Sequence, residues 1–229
     1  GYKLDKGLVA QYQPFTDNAY AKEMERRKEK GILAIPQRLP EMSISDAELL
    51  KIAEKNDIAL ITIGRNSGES GDRDVTDFNL AVDEIEMIEK VSKAFRNKGK
   101  KVAVILNIGG IIETASWKDK VDAVLLAWQP GQEGGNSVAD VLSGKVNPSG
   151  KLAQTFPIKY ADVPFGNEFP GTPKDNPKEI TYKEGVYVGY RYYDTFKVQP
   201  SYEFGYGKSY TTFSYSVIEA NQKVFDSAI

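Results

Sequence analysis

The 229-residue chain contains no cysteine and no histidine. Without cysteine there is no disulfide, no thiolate nucleophile and no cysteine-ligated metal. Without histidine, a Ser-His-Asp triad, an imidazole general base and a histidine-bearing zinc site are all excluded. Carboxylates, lysines and tyrosines remain as proton carriers. No apolar run approaches the ~20 residues needed to span a bilayer, and no signal peptide opens the sequence. Strong charge of either sign is missing too: 30 Lys and Arg are interspersed with 32 Asp and Glu, a net −2. That leaves no electrostatic footprint for nucleic acid, and neither a nucleic-acid nor a membrane partner is expected. The chain starts at Gly1-Tyr2-Lys3-Leu4 without an initiator methionine, so a fragment or processed piece is expected. Any targeting signal would then lie upstream, which leaves the compartment open.

What is present is enough apolar sequence, 41% of residues, for one large domain or one domain and part of another. Residues 17–33 hold helix formers, with the Lys/Glu-rich stretch from Lys22 to Lys30 as a solvated face. Ser45 with Glu48 three residues on forms a capping-box pattern, and Leu49, Ile52 and Ala53 follow at helical spacing. Residues 58–63 form a short, continuous apolar run and predict a strand covered on both faces. Ile85, Ile88, Val91 and Phe95 predict an amphipathic helix over 82–95. Residues 102–106 predict a second strand, 111–117 a short helix, and 121–128 a third strand. Val138, Val141 and Leu142 line a further helix that stops near Gly144. This alternation predicts an α/β fold, a three-layer sandwich with a mainly parallel sheet, in which the three strands are neighbours joined by helical crossovers.

After Asn147-Pro148-Ser149-Gly150 the texture changes to an irregular Tyr/Pro/Gly-rich segment. Residues 187–206 read as extended or loop structure over a larger body, and 211–217 alternate like a strand. The organisation expected is a sandwich domain over 1–160 with its N-terminus truncated, a wrapping segment over 161–210, and the start of a further, truncated β domain over 211–229.

The strand at 58–63 runs into the loop Gly64-Arg65-Asn66-Ser67-Gly68-Glu69-Ser70-Gly71-Asp72-Arg73-Asp74. Such a loop lies at the carboxyl edge of the sheet, where open α/β folds place their ligands. Glu69 has one glycine immediately before it and another two residues after, so the backbone there is free to aim a single side chain. The residues alone leave two readings open: a presented proton-transfer group, or a surface acid paired to Arg65 or Arg73. Asp72 and Arg73, an adjacent acid and base, read as bracing the loop. Gly109-Gly110 lacks the spacing of a nucleotide-binding turn. Gln129-Pro130-Gly131-Gln132-Glu133-Gly134-Gly135 reaches the same edge and reads as a tight turn with Glu133 near a helix N-terminus. Trp117, Trp128 and the thirteen tyrosines suit a sugar face as well as a core, and none is assigned to substrate.

Taken in order, six motifs resemble glycoside hydrolase family 3, the β-glucosidase and β-xylosidase family, in its second, α/β-sandwich domain. They are Gly68-Glu69-Ser70-Gly71-Asp72-Arg73, Leu106-Asn107-Ile108-Gly109, Trp128-Gln129-Pro130-Gly131-Gln132-Glu133-Gly134-Gly135, Asn147-Pro148-Ser149-Gly150-Lys151-Leu152 with Thr155-Phe156-Pro157, Tyr187-Val188-Gly189-Tyr190-Arg191-Tyr192-Tyr193-Asp194, and Phe204-Gly205-Tyr206-Gly207-Lys208-Ser209-Tyr210-Thr211-Thr212-Phe213. The resemblance covers roughly residues 43–215, and it makes 211–229 the entry into a fibronectin-like third domain. It implies a retaining β-glycosidase acting on terminal, non-reducing β-linked glucosides or oligosaccharides. Glu69 is then the general acid/base, with Asp72 and Arg73 supporting its loop. The aspartate nucleophile is implied to sit on a (β/α)8 barrel domain absent from this chain, which alone would be inactive. No metal and no cofactor is implied. The alternative is a non-catalytic sugar-binding or domain-interface module in which Glu69 only hydrogen-bonds a hydroxyl.

Overall fold

The computed structural model describes residues 2–31, 34, 36–66 and 73–217. Three strands, β1 (Ile58–Arg65), β2 (Lys101–Ile108) and β3 (Ala123–Leu126), form one sheet in the order β1-β2-β3, and both pairings are parallel. The three apolar runs are therefore neighbouring parallel strands, as their sequence predicts. β2 is central, and its residues 102–106 are all buried. β1 is not covered on both faces as its apolar run suggests: it buries only alternate residues, Ala59, Ile61, Ile63 and Arg65, leaving Leu60 exposed.

Register explains which face is the core. Ala59, Ile61, Ile63 and Arg65 lie opposite Val102, Val104, Leu106 and Ile108, and a one-residue slip would turn this whole row outward. The row packs with Leu49 and Ala53 of α2 (Asp46–Lys55) and with Ile88 and Phe95 of α3 (Val82–Arg96). Arg65 is the last member of the buried row. Its guanidinium meets Glu84, in the first turn of α3, through two parallel contacts, Nη1 to Oε1 at 2.6 Å and Nη2 to Oε2 at 2.7 Å. Side-chain exposures of 2% and 1% make this a fully buried ion pair. Glu84 also accepts the Ala81 N–H at 2.7 Å, so the same carboxylate satisfies one of the orphan donors at the start of α3.

α1 (Lys6–Lys30) starts well before the expected residue 17, because Asp5 caps it by accepting the Gly7 and Leu8 N–H groups. It runs through Pro14 and buries none of its residues, in keeping with its charged composition; Leu33, the expected end, lies outside the described residues. In α2 the Ser45 hydroxyl accepts the Glu48 N–H at 3.3 Å, while the Glu48 carboxylate takes Gln11. α4 (Gly134–Leu142) gives way to Gly144 at φ 75°, and its Val141 and Leu142 line a cavity of about 820 Å³ together with β3 and the C-terminal segment.

Three further expectations need correction. Residues 111–117 form no helix, so the β2-to-β3 crossover is not helical. Glu113 instead turns its carboxylate onto the Ser116 N–H (2.6 Å) and hydroxyl (2.7 Å), and its carbonyl accepts the indole N–H of buried Trp117. This local side-chain bonding competes with the helical ladder, and only a 3-10 turn, Lys118–Lys120, remains. The stretch 187–206 is not wholly extended, since it contains α5 (Tyr190–Phe196). Tyr192 and Phe196 touch at 5.1 Å across one turn while Tyr193 is buried, a helical side-chain pair. Residues 211–217 form no strand; among the described residues no neighbouring strand pairs with them, and an alternating pattern alone supplies no ladder.

The C-terminal segment otherwise behaves as read, with no helix longer than α5's seven residues among the described part of 156–213. β4 (Phe156–Pro157) pairs antiparallel with β5 (Pro200–Tyr202). Buried hydroxyls of Thr114 and Ser201 meet at 2.7 Å, and Lys118 donates to the Ser201 carbonyl at 2.7 Å, beneath the Tyr202 ring.

Two measurements check this description. Glu84→Ala, which leaves the Arg65 charge buried without its partner, is expected to cost about 3–5 kcal/mol in urea unfolding. The double replacement Arg65→Met with Glu84→Leu is expected to cost markedly less. Burial, reinforced by the charges of Asp162 and Tyr192, pushes the Tyr193 phenol up to about 12 from 10.0. Between those values the folded chain keeps a proton that the unfolded chain has lost, so stability falls as pH rises through this window. Tyr193→Phe is expected to flatten that fall, read from denaturant midpoints on either side of the window.

Candidate functional site at the carboxyl edge of the sheet

β1 delivers the chain to the carboxyl edge at Arg65, and the Arg65 carbonyl there accepts the Gly109 N–H from the end of β2 at 3.1 Å. Glu69 and Asp72 lie outside the described residues. Arg73, the third residue singled out by sequence, is described, and so are the groups around it.

Asp77 is the junction. It lies in a 3-10 turn, Val75–Phe78, whose cap Asp74 accepts the Thr76 N–H (2.8 Å) and hydroxyl (2.7 Å). Those two bonds hold the Asp74 carboxyl below the usual carboxylate range. The two carboxylate oxygens of Asp77 take different arginines: Oδ1 is 2.9 Å from Arg65 Nε and Oδ2 is 2.6 Å from Arg73 Nε. Arg73 Nη2 also donates to the Asp77 carbonyl at 2.9 Å, and Nη1 to the Ile111 carbonyl at 3.2 Å. Burial disfavours the Arg65 charge, but the Glu84 hydrogen bonds, then the charges of Glu84, Asp77 and Asp83, outweigh it and hold the guanidinium's pKa above its ordinary value.

Gly110 has its explanation here. A Cβ at that position would lie 2.8 Å from Arg73 Nη1, so the Gly109-Gly110 turn is a platform that lets the guanidinium approach the backbone. The third edge loop begins at Trp128, whose φ of 53° is unusual for a bulky residue. The Trp128 ring packs against buried Phe156 at 6.1 Å. Trp117 is fully buried and offers no open face. Glu133 is the N-cap of α4, with its carboxylate accepting from Asn136 at 2.6 Å, as its expected place near a helix N-terminus requires.

The edge thus gathers Arg65, Arg73, Asp77 and Glu84, of which sequence reading singled out Arg73 and gave Arg65 only as a partner for Glu69. Asp77 and Glu84 were missed. The one available signal was Asp83-Glu84 in the first turn of the helix after Ala81, a position where a carboxylate serves the free N–H groups. Among the described residues no group of three or more His, Cys, Asp or Glu could hold a metal ion, and no helix is long and apolar enough to cross a membrane.

Comparison with known proteins places this geometry. A solved structure of β-glucosidase 3B from Thermotoga neapolitana in complex with glucose superposes with a TM-score of 0.85 at 51% identity, covering 96% of this chain and 30% of that one. The thermostable β-glucosidase B of Acetivibrio thermocellus is 42% identical over 184 residues, 80% of this chain and 23% of its own. The exo-α-(1→6)-L-arabinopyranosidase of Bifidobacterium longum is 38% identical over 171 residues, 73% of this chain and 21% of its own. The chain thus spans between a fifth and a third of the length of these relatives. The family model described as the glycosyl hydrolase family 3 C-terminal domain matches residues 7–190. With a parallel sheet, an arginine-braced carboxyl edge and this match over most of its length, the chain belongs to the C-terminal domain family of glycosyl hydrolase family 3.

Proposed function

We propose that this chain is the acid/base-bearing domain of a retaining β-glucosidase that hydrolyses terminal, non-reducing β-linked glucosides, with Glu69 as the general acid/base. The observation that carries the reading is the place of Glu69 in the chain. It falls between Arg65, the last residue of β1, and Arg73, and both arginines are fixed at the carboxyl edge by Asp77.

In the proposed reaction an aspartate on a (β/α)8 barrel domain attacks the anomeric carbon while Glu69 protonates the departing glycosidic oxygen. A covalent glycosyl-enzyme forms, and Glu69, now a carboxylate, takes a proton from the water that releases the sugar. The two carboxyl groups must stand about 5–5.5 Å apart, so the barrel has to close over this edge. Asp72 and Arg73 support the loop, and neither metal nor cofactor takes part. In domain terms we assign 1–160 to the sandwich, 161–210 to a wrapping segment and 211–229 to the entry into a fibronectin-like domain. Relatives named for a glucosidase and for an arabinopyranosidase resemble this domain at similar identity, which supports placing glycone selection largely outside it.

The test is kinetic. In the complete enzyme, Glu69→Gln should lower kcat/KM for cellobiose or an alkyl glucoside by about 10²–10⁴-fold. Dinitrophenyl glucoside, whose leaving group needs no proton, should be nearly unaffected. Azide should restore turnover of activated aryl glucosides by Glu69→Ala. Equal losses on both substrates without azide rescue would reduce Glu69 to a binding group. The 229-residue chain alone should hydrolyse aryl glucosides no better than its Glu69→Gln version. Robust turnover that depended on another carboxylate here would place the nucleophile in this chain and sink the two-domain assignment.

A further inference from the structure

Among the described residues β1 is paired on one side only, with β2, and its residues 58–64 carry neither charge nor proline. Exposed edge strands are ordinarily blunted by Lys, Pro, a bulge or shortness, and the opposite edge, β3, is indeed only four residues long. The ladder decides which groups of β1 are left over. In a parallel pair the N–H and C=O of one residue point to the same side, and successive residues alternate. The Arg65 carbonyl accepts the Gly109 N–H, so Ala59, Ile61, Ile63 and Arg65 face β2, while Leu60, Thr62 and Gly64 face away from it. Arg65 Nη1 takes the Gly64 carbonyl at 2.8 Å. Leu60 and Thr62 are left with N–H and C=O groups that no described strand meets.

Beside this edge lies a cavity of about 450 Å³. Consecutive residues of β1, Ile58 to Thr62, form one wall, and Leu8 and Tyr12 of α1, Ile52 of α2 and Met87 and Val91 of α3 contribute to the other. α1 is tied over the cavity by polar contacts, Asn56 Nδ2 to Asp5 Oδ2 at 2.8 Å and Gln11 Nε2 to Glu48 Oε1 at 2.9 Å, yet it buries none of its residues. We propose that this groove is a strand-addition site, filled by a β-strand from the part of a longer polypeptide that lies outside these 229 residues. The β-glucosidase of Thermotoga neapolitana matches 96% of this chain with 30% of its own, so most of such a polypeptide is available to supply it. A main-chain partner fits because the open groups are backbone donors and acceptors spaced along an edge. The apolar helical wall selects a strand with apolar side chains at alternate positions. Its arrival pairs Leu60 and Thr62 and takes Leu8 and Tyr12 out of water.

The test is amide exchange at single-residue resolution, in the 229-residue chain and in the complete enzyme, and it does not involve the role of Glu69. In the chain alone the Leu60 and Thr62 amides should exchange fast while Ile61 and Ile63 are protected. In the complete enzyme the Leu60 and Thr62 amides should slow by on the order of 100-fold or more. Exchange that stays fast at both in the complete enzyme overturns the proposal. Protection that already arises in the chain alone, grows with its concentration and accompanies a dimer mass in sedimentation would put a second copy in the groove, and overturns it too. Should the chain alone fail to fold, the complete enzyme suffices: protection of Leu60 and Thr62 equal to that of Ile61 and Ile63 supports the added strand. Thr62→Pro supplies a second reading, because it deletes an N–H that β2 does not use. In the complete enzyme it should lower the melting temperature by about 2 °C or more, and an unchanged value would mean that this N–H has no partner.

Discussion

The buried pair of Arg65 and Glu84 is the constraint from which the rest of the edge follows. A row of apolar side chains on β1 ends in a guanidinium because the chain leaves the core at that point, and a charge held at 2% exposure must be met at close range or not be charged at all. Glu84 meets it from the first turn of α3, which fixes where that helix begins relative to the strand before it. The remaining N–H groups of Arg65 reach the Gly64 and Asn79 carbonyls and Asp77, so the 3-10 turn and, through it, Arg73 are placed next. Gly110 then admits Arg73 against the connection that leaves β2. A single desolvated charge thus relates β1, α3 and the first link beyond β2.

The network is also balanced. Two guanidiniums, Arg65 and Arg73, face two carboxylates, Asp77 and Glu84, a formal sum of zero. Opposite charges paired at this range largely cancel one another's field beyond the network. Further back, Glu41 has its carboxyl pushed up by burial and by the Glu84 charge, while Asp83 is held down by the Glu41 N–H and Arg38 against the effect of its own burial.

Much of the fold was legible because the strands are written as continuous apolar runs, and β1 and β2 could be found from composition alone. The misreadings have local causes. At 111–117 the spacing of Ile112 and Trp117 looks helical, but Glu113 spends its carboxylate on Ser116, a preference that periodicity does not register. At 190–196 tyrosines suggested extended chain, and only the spacing of Tyr192 and Phe196 hinted at a turn of helix. The ion network was less legible still. Arg65 finds its carboxylates 12 and 19 residues away, across an intervening turn, and nothing in a linear pattern ranks Asp77 and Glu84 above the other acids. Glu69 stood out through the glycines around it and through the resemblance of its motif to the family, not through any contact with these groups.

The C-terminal segment returns to the body of the domain over long stretches of chain. Thr114 and Ser201 are 87 residues apart, and Leu152 exchanges backbone bonds with Gly205 and Tyr206. By contrast, β1, α3 and β2 succeed one another within about fifty residues. Long closures cost chain entropy before any contact rewards them, which favours the parallel sheet, built from nearer stretches of chain, as the unit that forms before the segment docks. The same order runs in reverse. The Thr114–Ser201 and Lys118–Ser201 bonds join the returning segment to the link between β2 and β3, so releasing the segment breaks them without separating β1 from β2.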